Sequence, residues 1–217
     1  MNTIVTFECG PLATNCYLVG DDSSKLAFVV DAPKDSYALV LSALAERGWT
    51  LTDILLTHTH WDHTADCQEL QVSTAARVVV HIDDVYRLTD PMTHTIWPPS
   101  FSIPAVHEFE AINGSSGSLS ILHNTATIDW VHTPGHTEGS ICLLDRPRQV
   151  AYVGDTLFAG SIGRADLPGG DMETLCTSIK QELFCLPDEV IVYPGHGPVT
   201  TIGDEKQFNP FVGLHAS

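Results

Sequence analysis

Asp53-Ile54-Leu55-Leu56-Thr57-His58-Thr59-His60-Trp61-Asp62-His63 sets an apolar run directly against three imidazoles and a carboxylate. The segment Asp53 to Thr57 has the length and Ile/Leu content of a buried strand, and His63 to Val72 carries the spacing of a helix. The donors therefore occupy a turn after a strand, where neighbouring side chains can aim at different points. Upstream, residues 3–9, 15–20 and 26–31 are short segments rich in Val, Ile, Phe and Tyr, separated by Gly10-Pro11 and Gly20-Asp21-Asp22, and read as an antiparallel meander. From Ser36 to Arg47 the period changes to that of an amphipathic helix, with Tyr37, Val40, Leu41 and Leu44 on one face and Gly48 as its stop.

Downstream, Arg77 to His81 returns to strand, and Thr89 to Pro104 shows little periodicity and several prolines, the pattern of a long irregular loop. In that loop Trp97 and Phe101 either pack under a lid or line a pocket. Strands are expected near 107–112, 118–122, 125–132, 140–145 and 149–153, then a helix from Asp171, as its N-cap, to Cys185, and a last strand from Val190 to Tyr193. Strands followed by helix, twice over, predict an α/β fold of αββα type, two mixed sheets packed face to face with helices outside, as one domain over 1–217.

Composition narrows the functional classes. The 217 residues carry 10 Lys and Arg against 27 Asp and Glu, a formal charge of −17, and the basic residues are scattered. Such a field repels a phosphate backbone, so nucleic acid is not an expected partner. No apolar run reaches membrane-spanning length, and the first residues lack the basic and apolar regions of a secretory signal, so a cytoplasmic protein without a membrane partner is expected. Cys9, Cys16, Cys67, Cys142, Cys176 and Cys185 form no Cys-x-x-Cys pair and read as reduced thiols, mostly core fillers.

Neutral imidazole and carboxylate are ligands for zinc, iron or manganese. Further donors stand in similar settings: His136 in Thr133-Pro134-Gly135-His136-Thr137, Asp155 in Val153-Gly154-Asp155-Thr156, and His196 in Tyr193-Pro194-Gly195-His196-Gly197. Each follows an apolar strand and has Gly or Pro beside it. His58, His60 and His136 could hold one ion, Asp62, His63 and His196 a second, and Asp155 could bridge them, giving a two-metal clamp suited to hydrolysis. The other histidines lack this context and read as structural or solvated.

In combination, Asn15-Cys16-Tyr17-Leu18-Val19, Val30-Asp31, the HTHWDH run at 58–63, TPGHTEGS at 133–140, GDTLFAGSIGRADLPGGD at 154–171, YPGHGP at 193–198 and Asn209-Pro210-Phe211 resemble the metallo-β-lactamase superfamily. Within it they resemble the short bacterial branch of the glyoxalase II, or hydroxyacylglutathione hydrolase, family. The resemblance implies the same sandwich, and its dinuclear site maps onto the seven residues above. It argues against β-lactamase activity, because antibiotic-hydrolysing members carry Cys or no ligand at the position of Asp155. Asp31 could support a metal-binding loop from behind or cap backbone. Full-length glyoxalase II proteins add a C-terminal helical region, whereas here the chain ends at Ser217 after His196. Arg164 matches the family's basic residue after the GDTLF motif, but Ala165-Asp166 replaces the adjoining tyrosine.

The implied activity is metal-dependent hydrolysis of a small thioester such as S-lactoylglutathione, with two divalent ions, zinc first and iron or manganese as alternatives. Asp62 and Asp155 are the carboxylates expected to take part in catalysis, and Arg164 the residue expected to bind substrate. A thiolate leaves readily, so no dedicated general acid is required. The alternatives are a mononuclear iron persulfide dioxygenase, which shares the fold and the Gly163-Arg164-x-Asp166 segment, and a lactone or other ester hydrolase. Gly195-His196-Gly197-Pro198 is more similar to the hydrolase branch.

Overall fold

In the computed structural model, which describes residues 2–216, the first three apolar segments form β1 (Asn2–Cys9), β2 (Thr14–Asp21) and β3 (Leu26–Val30), paired antiparallel in that order. The chain divides into two compact units. The first runs through Ile112 and includes Ser120–Ala126; the second comprises Asn113–Leu119 and the residues from Thr127 onward.

In the first unit, α1 (Ser36–Arg47) closes at Gly48, whose φ of 65° lets its amide reach back to the carbonyls of Leu44 and Ala45. This crossover allows β4 (Thr50–Leu55) to add parallel to β3, and β5 (Arg77–His81) and β6 (Glu110–Ile112) continue the sheet in parallel. The six strands therefore stand in chain order, antiparallel at one edge and parallel at the other. Leu18, Val29, Ile54, Leu56, Val78 and Val80 are buried in one cluster with Val40, Leu44 and Leu70.

Several boundaries differ from expectation. The strand expected at 53–57 stops at Leu55, because the Thr57 amide donates to the Asp31 side chain at 2.8 Å instead of continuing the ladder. The single helix expected over 63–72 is two helices, α2 (Trp61–Thr64) and α3 (Cys67–Thr74). They part because the Asp66 amide donates to the Ala32 carbonyl at 3.0 Å, and the His63 carbonyl accepts from Ala32 N–H at 2.8 Å. Two long-range bonds replace the intrahelical ones. The irregular stretch 89–104 begins helically, with α4 (Val85–Thr89) running into it and α5 (Pro91–His94) inside it.

The second unit holds a six-stranded mixed sheet: β7 (Ser116–Ile121), whose last two residues belong to the first unit, β8 (Ala126–His132), whose first residue does too, β9 (Ile141–Asp145), β10 (Val150–Gly154), β13 (Ile191–Pro194) and β14 (Thr200–Thr201). A hairpin, β11 (Leu157–Phe158) and β12 (Ser161–Ile162), follows β10. Asp171 caps α6 (Met172–Ser178), its side chain accepting from Thr174 N–H, and the expected helix then widens into a π-helical stretch over Ile179–Leu183. A last helix, α7 (Ile202–Phe208), is capped by the Thr201 hydroxyl. Val153, Leu157, Leu175, Ile179, Leu183, Val192 and Ile202 share this unit's core.

Cys9, Cys16, Cys67 and Cys142 are buried, Cys176 is half-buried and Cys185 exposed. Burial pushes the Cys9 and Cys142 thiols up to about 11 each, and raises Cys16 and Cys67 well above the ordinary thiol range. Among the described residues no helix is long and apolar enough to cross a membrane.

One close packing point tests the first core. A Cβ at Gly20 would lie 2.3 Å from the ring of Trp49, whose indole N–H donates to Asp22 at 3.1 Å. Gly20→Val is expected to destabilise by about 1–3 kcal/mol through overpacking, read as a lower urea midpoint with unchanged slope.

Candidate metal centre

The donors of the first unit sit in the segment from β4 through α2. His58, Asp62 and His63 are buried and His60 is partly so. The His58 ring lies 5.0 Å from that of His60 and 4.1 Å from that of His63, centre to centre. Asp62 Oδ2 is 3.6 Å from His63 Nε2. Two donors bonded at ~2.1 Å to one ion with a tetrahedral angle lie about 3.4 Å apart, so this pair has the spacing of neighbours on an ion.

Three of these donors, His58, Asp62 and His63, are held from behind. His63 Nδ1 is 2.8 Å from Asp31 Oδ2, a contact that puts the proton on Nδ1 and the lone pair on Nε2, the atom facing Asp62. Asp31 also accepts from the Thr57 amide and hydroxyl, both at 2.8 Å, so it supports a donor and caps the backbone at once. The Thr57 hydroxyl lies 3.2 Å from His58 Nδ1, and the Thr14 hydroxyl donates to Asp62 Oδ2 at 3.1 Å. Between His58 and His60, the Thr59 amide donates to the carboxylate of Asp84 at 2.9 Å, and Arg87 pairs with the same carboxylate at 2.9 Å. Asp84 is fully buried, and its charge is matched there by the nearly buried Arg87.

The second unit gathers the other three donors. Asp155 Oδ2 lies 3.5 Å from His136 Nε2 and 3.4 Å from His196 Nε2, so one carboxylate oxygen serves two imidazoles. Both spacings are those of neighbouring donors on an ion, and neutral imidazoles with a carboxylate fit divalent metal. His136 Nδ1 contacts the Arg164 carbonyl at 2.8 Å, which puts the proton on Nδ1 and the lone pair on Nε2, the atom facing Asp155. The Gly195 amide donates to the Gly154 carbonyl at 2.7 Å, tying together the backbones beside His196 and Asp155. The Thr133 and Thr156 hydroxyls, 3.2 Å apart, do the same for the His136 and Asp155 loops.

Gly163 marks how tightly this is drawn: a Cβ there would stand 1.8 Å from the Asp155 carbonyl and 3.2 Å from His136 Nδ1. The Arg164 guanidinium grips Asp166 with two bonds of 2.8 Å, and holds that carboxyl down to about 2. Of the loop aromatics, Phe101 meets Trp61 edge to face at 5.8 Å, while Trp97 is 63% exposed.

Sequence reasoning named the donors but passed over Thr14 and Asp84, and met Gly163 only as part of a motif, without a role. Gly163 carried a signal in its place within a Gly-rich run; the other two carried none. Asp31→Ala is expected to weaken metal binding about 10- to 100-fold, the usual effect of losing a residue that orients a ligand, in a chelator competition. Gly163→Ala should lose metal while keeping the far-ultraviolet circular dichroism of the two sheets.

Comparison with known proteins agrees with this geometry. The family model described as the metallo-beta-lactamase superfamily matches residues 9–196. A curated relative from Haemophilus influenzae, named hydroxyacylglutathione hydrolase GloC, is 34% identical over 199 residues, 91% of this chain and 92% of its own. Among solved structures, BLEG-1 B3 metallo-beta-lactamase superposes with a TM-score of 0.88 at 34% identity, covering 97% of this chain and 99% of that one. ETHE1 from Myxococcus xanthus gives 0.77 at 28% identity, covering 97% and 84%. TTHA1623, solved in a di-iron-bound form, gives 0.73 at 31% identity, covering 95% and 99%. Two mixed sheets with flanking helices, histidine and aspartate clusters at strand ends, and a family match across most of the chain make this protein a member of the metallo-beta-lactamase superfamily.

Proposed function

We propose that the chain is a dinuclear metal-dependent hydrolase of small thioesters, S-lactoylglutathione among them. The carrying observation is Asp155 Oδ2 within 3.5 Å of two imidazole nitrogens. In this reading His58, His60 and His136 take one ion, Asp62, His63 and His196 the other, and Asp155 bridges. The ions are zinc, with iron or manganese as alternatives; the di-iron relative supports a two-metal centre without choosing among them. Likeness to a protein named hydroxyacylglutathione hydrolase supports the thioester.

When bound, such ions lower the pKa of water toward neutrality and offset the charge that develops on a carbonyl oxygen. The residues of the chain do the rest. Asp155 and Asp62 would orient the attacking water through their carboxylate oxygens. Thr14 and Asp31 keep Asp62 and His63 from turning away from it. The leaving sulfur departs as a thiolate, needing no proton from the protein.

A solved β-lactamase at 34% identity favours a second reading specifically, despite the argument from Asp155. The deciding experiment is therefore metal analysis paired with three assays: thiol release from S-lactoylglutathione, oxygen uptake with glutathione persulfide, and opening of a chromogenic cephalosporin. Two ions per chain and thiol release are expected. A plateau at one ion with oxygen uptake would instead establish the dioxygenase, and cephalosporin turnover alone the β-lactamase. Asp155→Ala should lose metal affinity and turnover together, with the fold intact.

Arg164 is the proposed contact for an anionic thioester, and the Asp166 carboxylate competes with that substrate for its guanidinium. Arg164→Ala should raise KM for glutathione thioesters roughly ten-fold, as expected for one charged hydrogen bond, and leave a neutral short thioester unaffected. Asp166→Asn should lower KM for the anionic substrate only. Equal losses on both substrates would assign Arg164 to the shape of its loop.

A further inference from the structure

A carboxylate outside the proposed donor set stands at the junction of the segments that follow Asp155 and His196. Glu205, in the first turn of α7, is only 4% exposed. Its Oε2 accepts from the Gly160 amide at 2.9 Å and from the Asn209 side-chain amide at 2.7 Å, and its Oε1 accepts from the Thr200 hydroxyl at 2.7 Å. Gly160 is the turn of the β11–β12 hairpin, which begins two residues after Asp155. Thr200 lies in β14, four residues after His196. Asn209 reaches the same hairpin independently, donating to the Ser161 carbonyl at 2.9 Å.

A buried carboxylate is costly unless its oxygens are satisfied, and none of these three partners is a cation. A core needing only to be filled would be served better by an apolar side chain. What Glu205 adds is direction: two of its bonds fix the segment that follows Asp155 and the one that follows His196. Closer in, the Gly195 amide and Gly154 carbonyl join the same two chain segments at 2.7 Å. The chain around Asp155 and the chain around His196 are thus tied at two points, directly at Gly154–Gly195 and through Glu205 at Gly160–Thr200, with Asp155 Oδ2 and His196 Nε2 3.4 Å apart.

We infer that Glu205 is a positioning residue for metal binding, holding the Asp155 and His196 segments at the separation that an ion shared between these two side chains requires. This rests on the dinuclear reading for its choice of ligands. The conservative variant is informative, because in Glu205→Gln the amide oxygen can still accept from Gly160 and Asn209 while its NH2 donates to the Thr200 oxygen. Shape is kept and charge removed.

The test is a chelator competition on the full chain with zinc, run for wild type, Glu205→Ala, Glu205→Gln, Thr200→Val and Asp155→Ala, beside thermal unfolding of each apo-protein. Glu205→Ala should weaken, by 10- to 100-fold, the same binding step that Asp155→Ala abolishes. Glu205→Gln should recover most of that affinity. If Glu205→Ala does not fold, Thr200→Val carries the test, with about a three- to ten-fold loss in that step for one hydrogen bond. Lower apo-protein stability with wild-type zinc affinity at every step would overturn the proposal and leave Glu205 a strut of the fold. A wild type that binds one ion overturns the dinuclear reading alone, since Glu205 is then scored on the step that Asp155 controls. A wild type that binds no zinc overturns both.

Discussion

The carboxylate of Asp31 is the contact from which the first donor segment hangs. It sits at the end of β3 with a φ of 58°, a left-handed conformation that Asp tolerates better than most residues, and is 2% exposed. That conformation turns the side chain across the end of β4, where it stops the ladder at Thr57 and holds His63 at the same time. The end of the ladder and the aim of the imidazole are therefore set by one group. Loss of it would leave the Thr57 amide and His63 Nδ1 without that acceptor inside a buried site, which is why its substitution touches metal and backbone together.

The second unit solves the same problem mainly with backbone. His136 is aimed by a carbonyl, and the strand ends beside Asp155 and His196 are joined amide to carbonyl across two glycines. Gly163 permits the approach that brings the Arg164 carbonyl to His136. Backbone ties are short and stiff, so these donors are preorganised before any ion arrives. The cost falls on sequence freedom: glycine at 163 leaves no room for a side chain, whereas the first unit's support by Asp31, Thr14 and Asp84 is spread over side chains.

What was legible in the chain follows the range of the interaction. Donors at His58, His60, Asp62 and His63 announce themselves because they are adjacent, and α1 because its apolar spacing and Gly48 are local. Asp84 meets Thr59 across 25 residues and Thr14 meets Asp62 across 48, so neither has a local sign. The break between α2 and α3 was hidden for the same reason, since it is made by bonds to Ala32. α7 is a different kind of miss: Thr201, three residues before Asp204, is an N-cap signal that was readable. Arg164 shows the reverse, a residue singled out by motif whose guanidinium meets its neighbour Asp166 and whose carbonyl, invisible to motif, aims His136.

The buried thiols bear on chemical self-protection. If the substrate is the proposed thioester, it acylates whichever sulfur presents a thiolate, and acyl exchange onto the protein's own cysteines would divert it into a dead-end adduct. Cys9, Cys16, Cys67 and Cys142 are enclosed and burial suppresses their ionisation, so at neutral pH they offer almost no nucleophile to an acyl donor. Cys185 is the sulfur left exposed to such exchange, and it sits after the π-helical stretch, in the loop before β13.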